Sequence, residues 1–206
     1  MPNLYKKIPG WFKSESLYKM VVDEFQDGSV FVEVGSYFGR SACYMAEMIK
    51  ESGKNIEFYC VDKWSWLPPP DRVGVAMVED LVTEHNRLLS EISNDPLEVF
   101  QQCLKNADVL DLVKIIKGDS SESASEFKDM SVDFVYVDAA HDFESANRDI
   151  SAWINKVKDG GIISGDDFGG DEVERAVRKY FENINLDDMG RDHRYPDSYC
   201  TWWTRK

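Results

Sequence analysis

Val30-Phe31-Val32-Glu33-Val34-Gly35-Ser36-Tyr37-Phe38-Gly39-Arg40-Ser41-Ala42-Cys43-Tyr44-Met45-Ala46-Glu47-Met48-Ile49 is the stretch that decides the fold. It opens as a short apolar run with β-branched residues, the mark of a buried strand. Gly35 and Gly39 punctuate a turn, and Ala42, Met45, Ala46 and Ile49 then recur at i, i+3, i+4 and i+7, one face of a helix. Strand, glycine turn and helix together open a nucleotide-type α/β domain, whose ligand sits beyond the carboxyl end of the strand.

A dinucleotide fingerprint needs a second glycine two residues after the first, so that backbone can approach a pyrophosphate. Tyr37 stands there. Glu33, placed at the strand end, would oppose a diphosphate and suits a ligand carrying an ammonium or sulfonium group. Glu-x-Gly-x-x-x-Gly thus looks more like the first motif of class I S-adenosylmethionine (SAM) methyltransferases than like an NAD site. The alternative is a plain strand-to-helix turn with a surface Glu.

Outward from this stretch the chain alternates strands and helices. Ser14 opens a helix with Leu17, Met20, Val21 and Phe25 that Asp27-Gly28 closes. Residues 56–61, 113–117, 132–137 and 161–165 read as further strands, and Asn94-Asp95-Pro96 as the start of a helix to about Asn106. Phe143, Ala146, Ile150, Trp153 and Val157 form a helical stripe that Asp159-Gly160-Gly161 stops, and another helix runs from about Asp171 to Phe181. Five strand–helix alternations predict a Rossmann-like α/β fold, a mostly parallel sheet with helices on both faces. The tail, Tyr199-Cys200-Thr201-Trp202-Trp203, reads as an antiparallel C-terminal strand that could pair with an edge of the sheet, and as a candidate dimer edge. One domain over residues 1–206 is expected, with residues 1–28 an N-terminal flap and helix. Residues 63–95 form an insertion near the site entrance, helical from about 73 to 92, with His85 on its surface.

Composition narrows the function classes. A mean hydropathy of −0.44 is ordinary for a globular domain. No apolar run approaches a membrane span, and the N-terminal residues lack a signal-peptide core, so a cytoplasmic protein without membrane attachment is expected. The net charge of −14 disfavours a nucleic-acid partner. Cys43, Cys60, Cys103 and Cys200 are far apart, which points to reduced, mostly buried thiols.

Glu33, Asp62, Asp119, Asp138 and the Asp166-Asp167 pair each close a predicted strand, so six carboxylates converge on one rim. Like charges crowd a cleft at a cost unless cations share it. The sulfonium and ammonium of SAM are one answer. A divalent ion held by Asp138, Asp166 and Asp167, a hard-oxygen site for Mg²⁺, Mn²⁺ or Ca²⁺, is another. The plain alternatives are a helix-capping Asp138 and a solvated Asp166-Asp167 loop. His141, three residues after Asp138, is the candidate general base, against a helix-N-terminal His that merely packs. Asp62 is read as a ribose ligand, or a turn Asp. Asp119 and Ser120 are read as adenine ligands, or caps of a helix beginning near Ser121.

Val-Glu-Val-Gly-Ser-Tyr-Phe-Gly-Arg-Ser, Cys-Val-Asp-Lys-Trp, Gly-Asp-Ser, Phe-Val-Tyr-Val-Asp-Ala-Ala-His-Asp-Phe-Glu and Gly-Gly-Ile-Ile-Ser-Gly-Asp-Asp-Phe occur in order over about residues 29–180. Together they resemble the class I SAM-dependent methyltransferases of the small "methyltransferase 24" type, a group similar to catechol-type and macrolide-sugar O-methyltransferases. The resemblance implies that Glu33 and Gly35 hold the methionine end of SAM, Asp62 the ribose, and Asp119 with Ser120 the adenine. Ser36, Tyr37, Gly39, Ser41, Lys63, Gly118 and Asp138 complete the implied cofactor set. Asp138, Asp166 and Asp167 match the metal acids of the catechol-type enzymes, whose third ligand is commonly Asn. Where those enzymes place a base lysine this chain has His141, and where the sugar enzymes often have an Asp it has Ala140.

The implied activity is metal-assisted O-methylation of a small hydroxylated acceptor, a sugar or phenol, with Asp138 and His141 catalytic. Metal-independent transfer to another acceptor, a non-catalytic SAM-binding domain and, more weakly, an NAD oxidoreductase are the competing readings. Residues 1–12 and Trp64–Pro70 are candidates for closing the site. Trp64, Trp66, Tyr195 and Trp203 face the substrate or belong to core and interface.

Overall fold

The computed structural model describes residues 4–65, 83, 85–169, 171–187 and 200–206. Val30–Val34 (β1) lies inside a seven-stranded sheet with Glu57–Asp62 (β2), Val113–Lys117 (β3), Val132–Val137 (β4), Val157–Phe168 (β5), Asn185–Asp187 (β6) and Cys200–Arg205 (β7). The strand order is β3-β2-β1-β4-β5-β7-β6. β1 pairs in parallel with both β2 and β4, and β7 runs antiparallel between β5 and β6. The order reverses between β1 and β4, and that crevice is where an open α/β sheet binds its ligand.

Among the described residues, helices run over Glu15–Glu24 (α1), Arg40–Ser52 (α2), Pro96–Asn106 (α3), Phe143–Ile154 (α4) and Asp171–Arg178 (α5), besides a helical stretch at 85–91. Alternation along the strands feeds two cores. Phe31, Phe58 and Phe134 pack under α1, α2 and α3, while Val32, Val34, Val135 and Ile163 pack under α4 and α5. Helices therefore cover both faces, as expected. Local chemistry sets their ends: Asp95 accepts from the Leu97 amide at 3.0 Å with Pro96 following, and Gly53, left-handed, closes α2. All four cysteines are buried.

Several elements depart from the sequence reading. α4 ends at Ile154, because the carbonyls of Asn155 and Lys156 are taken by the amides of Met130, Ser131 and Val132. Val157 thus begins β5, and Asp159-Gly160-Gly161 lies within that strand, where the register against β4 shifts. The helix expected near Ser121 is a 3₁₀ turn, Glu122–Glu126. β7 is no edge: it is paired on both sides, which removes it as a dimer edge, and the short β6 lies outside it.

The N-terminal segment is docked, with a 3₁₀ turn at Leu4–Lys7 and Tyr5 and Ile8 buried against the first core. Arg40 holds it by donating to the carbonyl of Gly10 at 2.8 Å. Residues 85–91 are helical, but His85 is buried (8% exposed), a correction to its expected surface position. Trp64 is likewise buried against Phe100. Most of the expected 73–92 helix and of Trp64–Pro70, with Trp66 and Tyr195, lies outside the described residues.

Trp153 is fully buried and donates from its indole nitrogen to the Ser120 carbonyl at 2.9 Å. Trp153→Ala should lower stability by about 3–5 kcal/mol, read as a shift of the urea midpoint at constant slope.

Candidate functional site

The ends of β1 and β4 meet at the crevice. The Asp138 amide donates to the Val34 carbonyl at 2.8 Å, and the Gly35 amide to the Val61 carbonyl at 2.8 Å. Gly35 has φ +95°, and a Cβ there would lie 1.9 Å from the Asp138 carbonyl oxygen, so no other residue fits. The turn that follows is strained at Tyr37, a non-glycine residue at φ 49°.

Glu33 is the best-buried carboxylate of the expected set, 1% exposed, which removes the surface-Glu alternative. Period 2 turns it toward α1, where the Tyr18 hydroxyl donates to its Oε2 at 2.7 Å. Burial pushes its pKa up to about 7, against the lowering influence of the Tyr18, Ser36 and Ser41 hydroxyls. Its Oε1 and the Ser36 hydroxyl make no hydrogen bond of ordinary geometry. Two orphaned polar atoms beside a glycine turn fit the polar end of a bound ligand.

Asp62 accepts from the Tyr37 amide at 2.9 Å and the Trp64 amide at 2.7 Å, so both oxygens brace the turn and each keeps a lone pair. Burial raises its pKa. Asp119 accepts from the Ser121 amide and hydroxyl at 3.0 and 2.8 Å and pairs with Lys63 at 2.8 Å. The bond from Lys63 is the main reason its carboxyl is held far below the usual range. The capping chemistry weighed for Asp119 is therefore present, and Lys63 bridges the ends of β2 and β3. A Cβ at Gly118 would approach the rotatable Ser123 hydroxyl at 2.6 Å, while Gly39, at φ +89°, is where one would press on Phe100 at 2.9 Å. Ser120 donates to Asp149 at 2.6 Å.

At the other side of the crevice Asp138, His141 and Asp167 each bring a ligand atom within 4.8 Å of the others. His141 Nε2 lies 3.0 Å from Asp167 and 3.7 Å from Asp138. A register shift in β5 between Gly165 and Phe168, with Asp167 at φ 60°, turns the two neighbouring acids apart. Asp167 faces His141, and Asp166 accepts from the Thr201 hydroxyl at 3.3 Å. The grouping thus differs from the expected Asp138–Asp166–Asp167 set by drawing in His141. Burial raises the pKa of all three acids. Asp138 foremost, then Asp167, pushes His141 up to about 9. A small cavity of about 20 Å³ is lined by Asp138, His141, Asp166 and Asp167 together with apolar residues that include Ile150 and Trp202.

Three participants escaped sequence reading. Tyr18 lies on the inner face of α1 without any mark of its role. Asp149, fully buried, falls between Ala146 and Ile150 on the apolar stripe of α4, where a charged residue is itself a signal. His85 shares a stripe with Leu88, Leu89 and Ile92, which pointed inward.

A family model described as a methyltransferase domain matches residues 32–168. No curated protein matches by sequence. Among solved structures, the O-methyltransferase NovP is 18% identical with a TM-score of 0.64, covering 94% of this chain and 80% of its own. A SAM-dependent O-methyltransferase from Thermotoga maritima is 15% identical with a TM-score of 0.59, covering 95% of this chain and 66% of its own. An rRNA methylase from Streptococcus thermophilus is 10% identical with a TM-score of 0.62, covering 95% and 97%. At these identities the likeness is one of fold. Among the described residues no helix is long and apolar enough to cross a membrane.

Glu33 yields a pH prediction. Its pKa rises from an ordinary 4.5 to about 7 on folding, so the folded chain holds the extra proton in between and stability falls as pH rises through that window. The full loss is about 3 kcal/mol. Melting Glu33→Gln beside the wild type without ligand should show the variant's advantage growing from pH 5 to pH 8.

Proposed function

Because the chain belongs to the methyltransferase-24 family of methyltransferase domains, we propose that it is a SAM-dependent O-methyltransferase acting on a small hydroxylated molecule, a sugar or phenol, with help from a divalent cation. The observation that carries this reading is the Asp138–His141–Asp167 cluster, its ligand atoms within 4.8 Å of one another, set beside the Gly35 turn.

The residues fit the cofactor. Glu33 Oε1 and Ser36, buried and unpartnered, with Gly35, Tyr37, Gly39 and Ser41 around them, would hold the methionine end. The spare lone pairs of Asp62 would take the ribose, and Gly118, Asp119, Ser120 and Lys63 would hold the adenine. SAM, when bound, would supply a sulfonium methyl group that can pass to an acceptor oxygen, the C–S bond breaking and the sulfur leaving as a neutral thioether. Alignment and exclusion of water by this chain account for most of the rate in such a displacement.

Two carboxylates and an imidazole also fit a cation. Mn²⁺ tolerates the nitrogen ligand better than Mg²⁺ or Ca²⁺, which would favour the Asp138–Asp166–Asp167 oxygens. A cation at this position lowers the pKa of a hydroxyl bound to it. Asp138 and Asp167 push the His141 pKa up to about 9, which favours a protonated imidazole between them near neutral pH. That proton and a divalent cation compete for the same carboxylates. His141 can therefore serve as general base only when Asp138 and Asp167 are otherwise neutralised. The 3.0 Å ion pair with Asp167 favours a second reading, in which protonated His141 is itself the neutralising cation and transfer needs no metal. The net charge of −14 supports a small acceptor over RNA.

Calorimetry on EDTA-treated protein separates these readings. S-adenosylhomocysteine should bind without metal, and turnover of hydroxylated acceptors should appear only with Mg²⁺ or Mn²⁺. Asp138→Asn and Asp167→Asn should each lower turnover on the order of 100-fold while leaving that binding largely intact. Full turnover in EDTA would discard the metal, and absence of S-adenosylhomocysteine binding would discard the cofactor.

A further inference from the structure

We propose that His85 is a positioning residue for the cofactor, acting through Tyr37 to hold the strained turn after β1; the cofactor's identity in this proposal rests on the SAM reading. Tyr37 occupies the place where a dinucleotide site has its second glycine, and it adopts φ 49° without the freedom of a glycine. Such a conformation persists only when its surroundings over-determine it. Four contacts do so. The Tyr37 amide donates to Asp62 at 2.9 Å, and its carbonyl accepts from the Trp64 indole at 2.8 Å. Its ring stacks on Phe38 with centroids 4.2 Å apart. Its hydroxyl meets His85 Nδ1 at 2.6 Å.

His85 is the remote member. It comes from the 85–91 helix, stacks on Phe38 with centroids 4.8 Å apart and lies nearly parallel to the Tyr37 ring at 5.7 Å. Burial lowers its pKa, which favours the neutral ring, and in the tautomer that leaves Nδ1 unprotonated the Tyr37 hydroxyl donates to it. The bond fixes the far end of a side chain whose backbone amide braces Asp62. Releasing it frees the turn and the carboxylate assigned to the ribose together. His85 touches neither reacting atom nor acid cluster, so its effect should fall on cofactor affinity.

The test uses the full chain with S-adenosylhomocysteine as probe. His85→Phe keeps a ring to stack and removes the bond, and Tyr37→Phe removes only the hydroxyl. Each should weaken binding about fivefold, the double variant no further, and His85→Asn, with an acceptor near the Nδ1 position, should recover most of the loss. Hydrogen exchange without ligand supplies a second readout: His85→Phe should deprotect the amides of 35–39 while β1 and the body of α2 keep theirs. Wild-type affinity in the two Phe variants, additive losses, or unchanged protection of the turn would each overturn the proposal. Wild-type protein that fails to bind the probe while the exchange signature appears would instead sink the SAM reading and leave the latch standing.

Discussion

The approach of the β4 end to Gly35 is the contact on which the rest of the site depends. A side chain at that position would sit inside the Asp138 carbonyl. Without one, the glycine turn and the acid that opens the Asp138–His141–Asp167 cluster become immediate neighbours. The two halves of the proposed chemistry, cofactor turn and acceptor cluster, are in this sense a single backbone junction. Sheet order makes the junction possible, because β1 and β4 are adjacent strands whose connections leave in opposite directions.

Electrostatics then explains why so many acids tolerate one rim. They are not equivalent. Asp119 is held ionised by Lys63 and by the capping bonds of the Ser121 turn. Asp62 spends its charge on two backbone amides. Glu33 is so deeply buried that a proton on it near neutrality costs little. The true crowd is Asp138, Asp166 and Asp167, with His141 3.0 Å from Asp167 and the charge of Lys13 acting on Asp166 and Asp167. Thr201, from β7, gives Asp166 a separate partner and leaves Asp167 to the histidine.

The strands and the carboxylates at their tips were legible because period 2, glycine turns and strand-end acids are local signals, and β1, β3 and β4 fell where the pattern put them. What escaped was set by contacts distant in sequence. Asn155 and Lys156 end α4 early because the loop before β4 claims their carbonyls. The pairing of β7 on both sides depends on β6, three residues with no strand pattern to speak of. At the site, Glu33 could be read as a strand-end acid, but its burial under Tyr18 could not, since nothing in α1 distinguishes that tyrosine from core. Asp149 and His85 were readable in principle, as polar residues on apolar stripes.

The insertion of β7 between β5 and β6 has a kinetic consequence. Asp166 and Asp167 are aimed by a bulge that β5 forms against β7, and Trp202 from β7 fills the core beneath them. During synthesis, β1 through β4 can pair and α2 can cap the glycine turn while this pairing is still missing. The bulge that aims the acid cluster is bounded by Gly165 against Trp202 and Phe168 against Cys200, so it forms only after residues 200–202 have been made. A nascent chain would therefore acquire its cofactor turn well before its cation site, and in that interval β5 offers an unpaired apolar edge to any neighbour, a task for chaperones rather than for the fold.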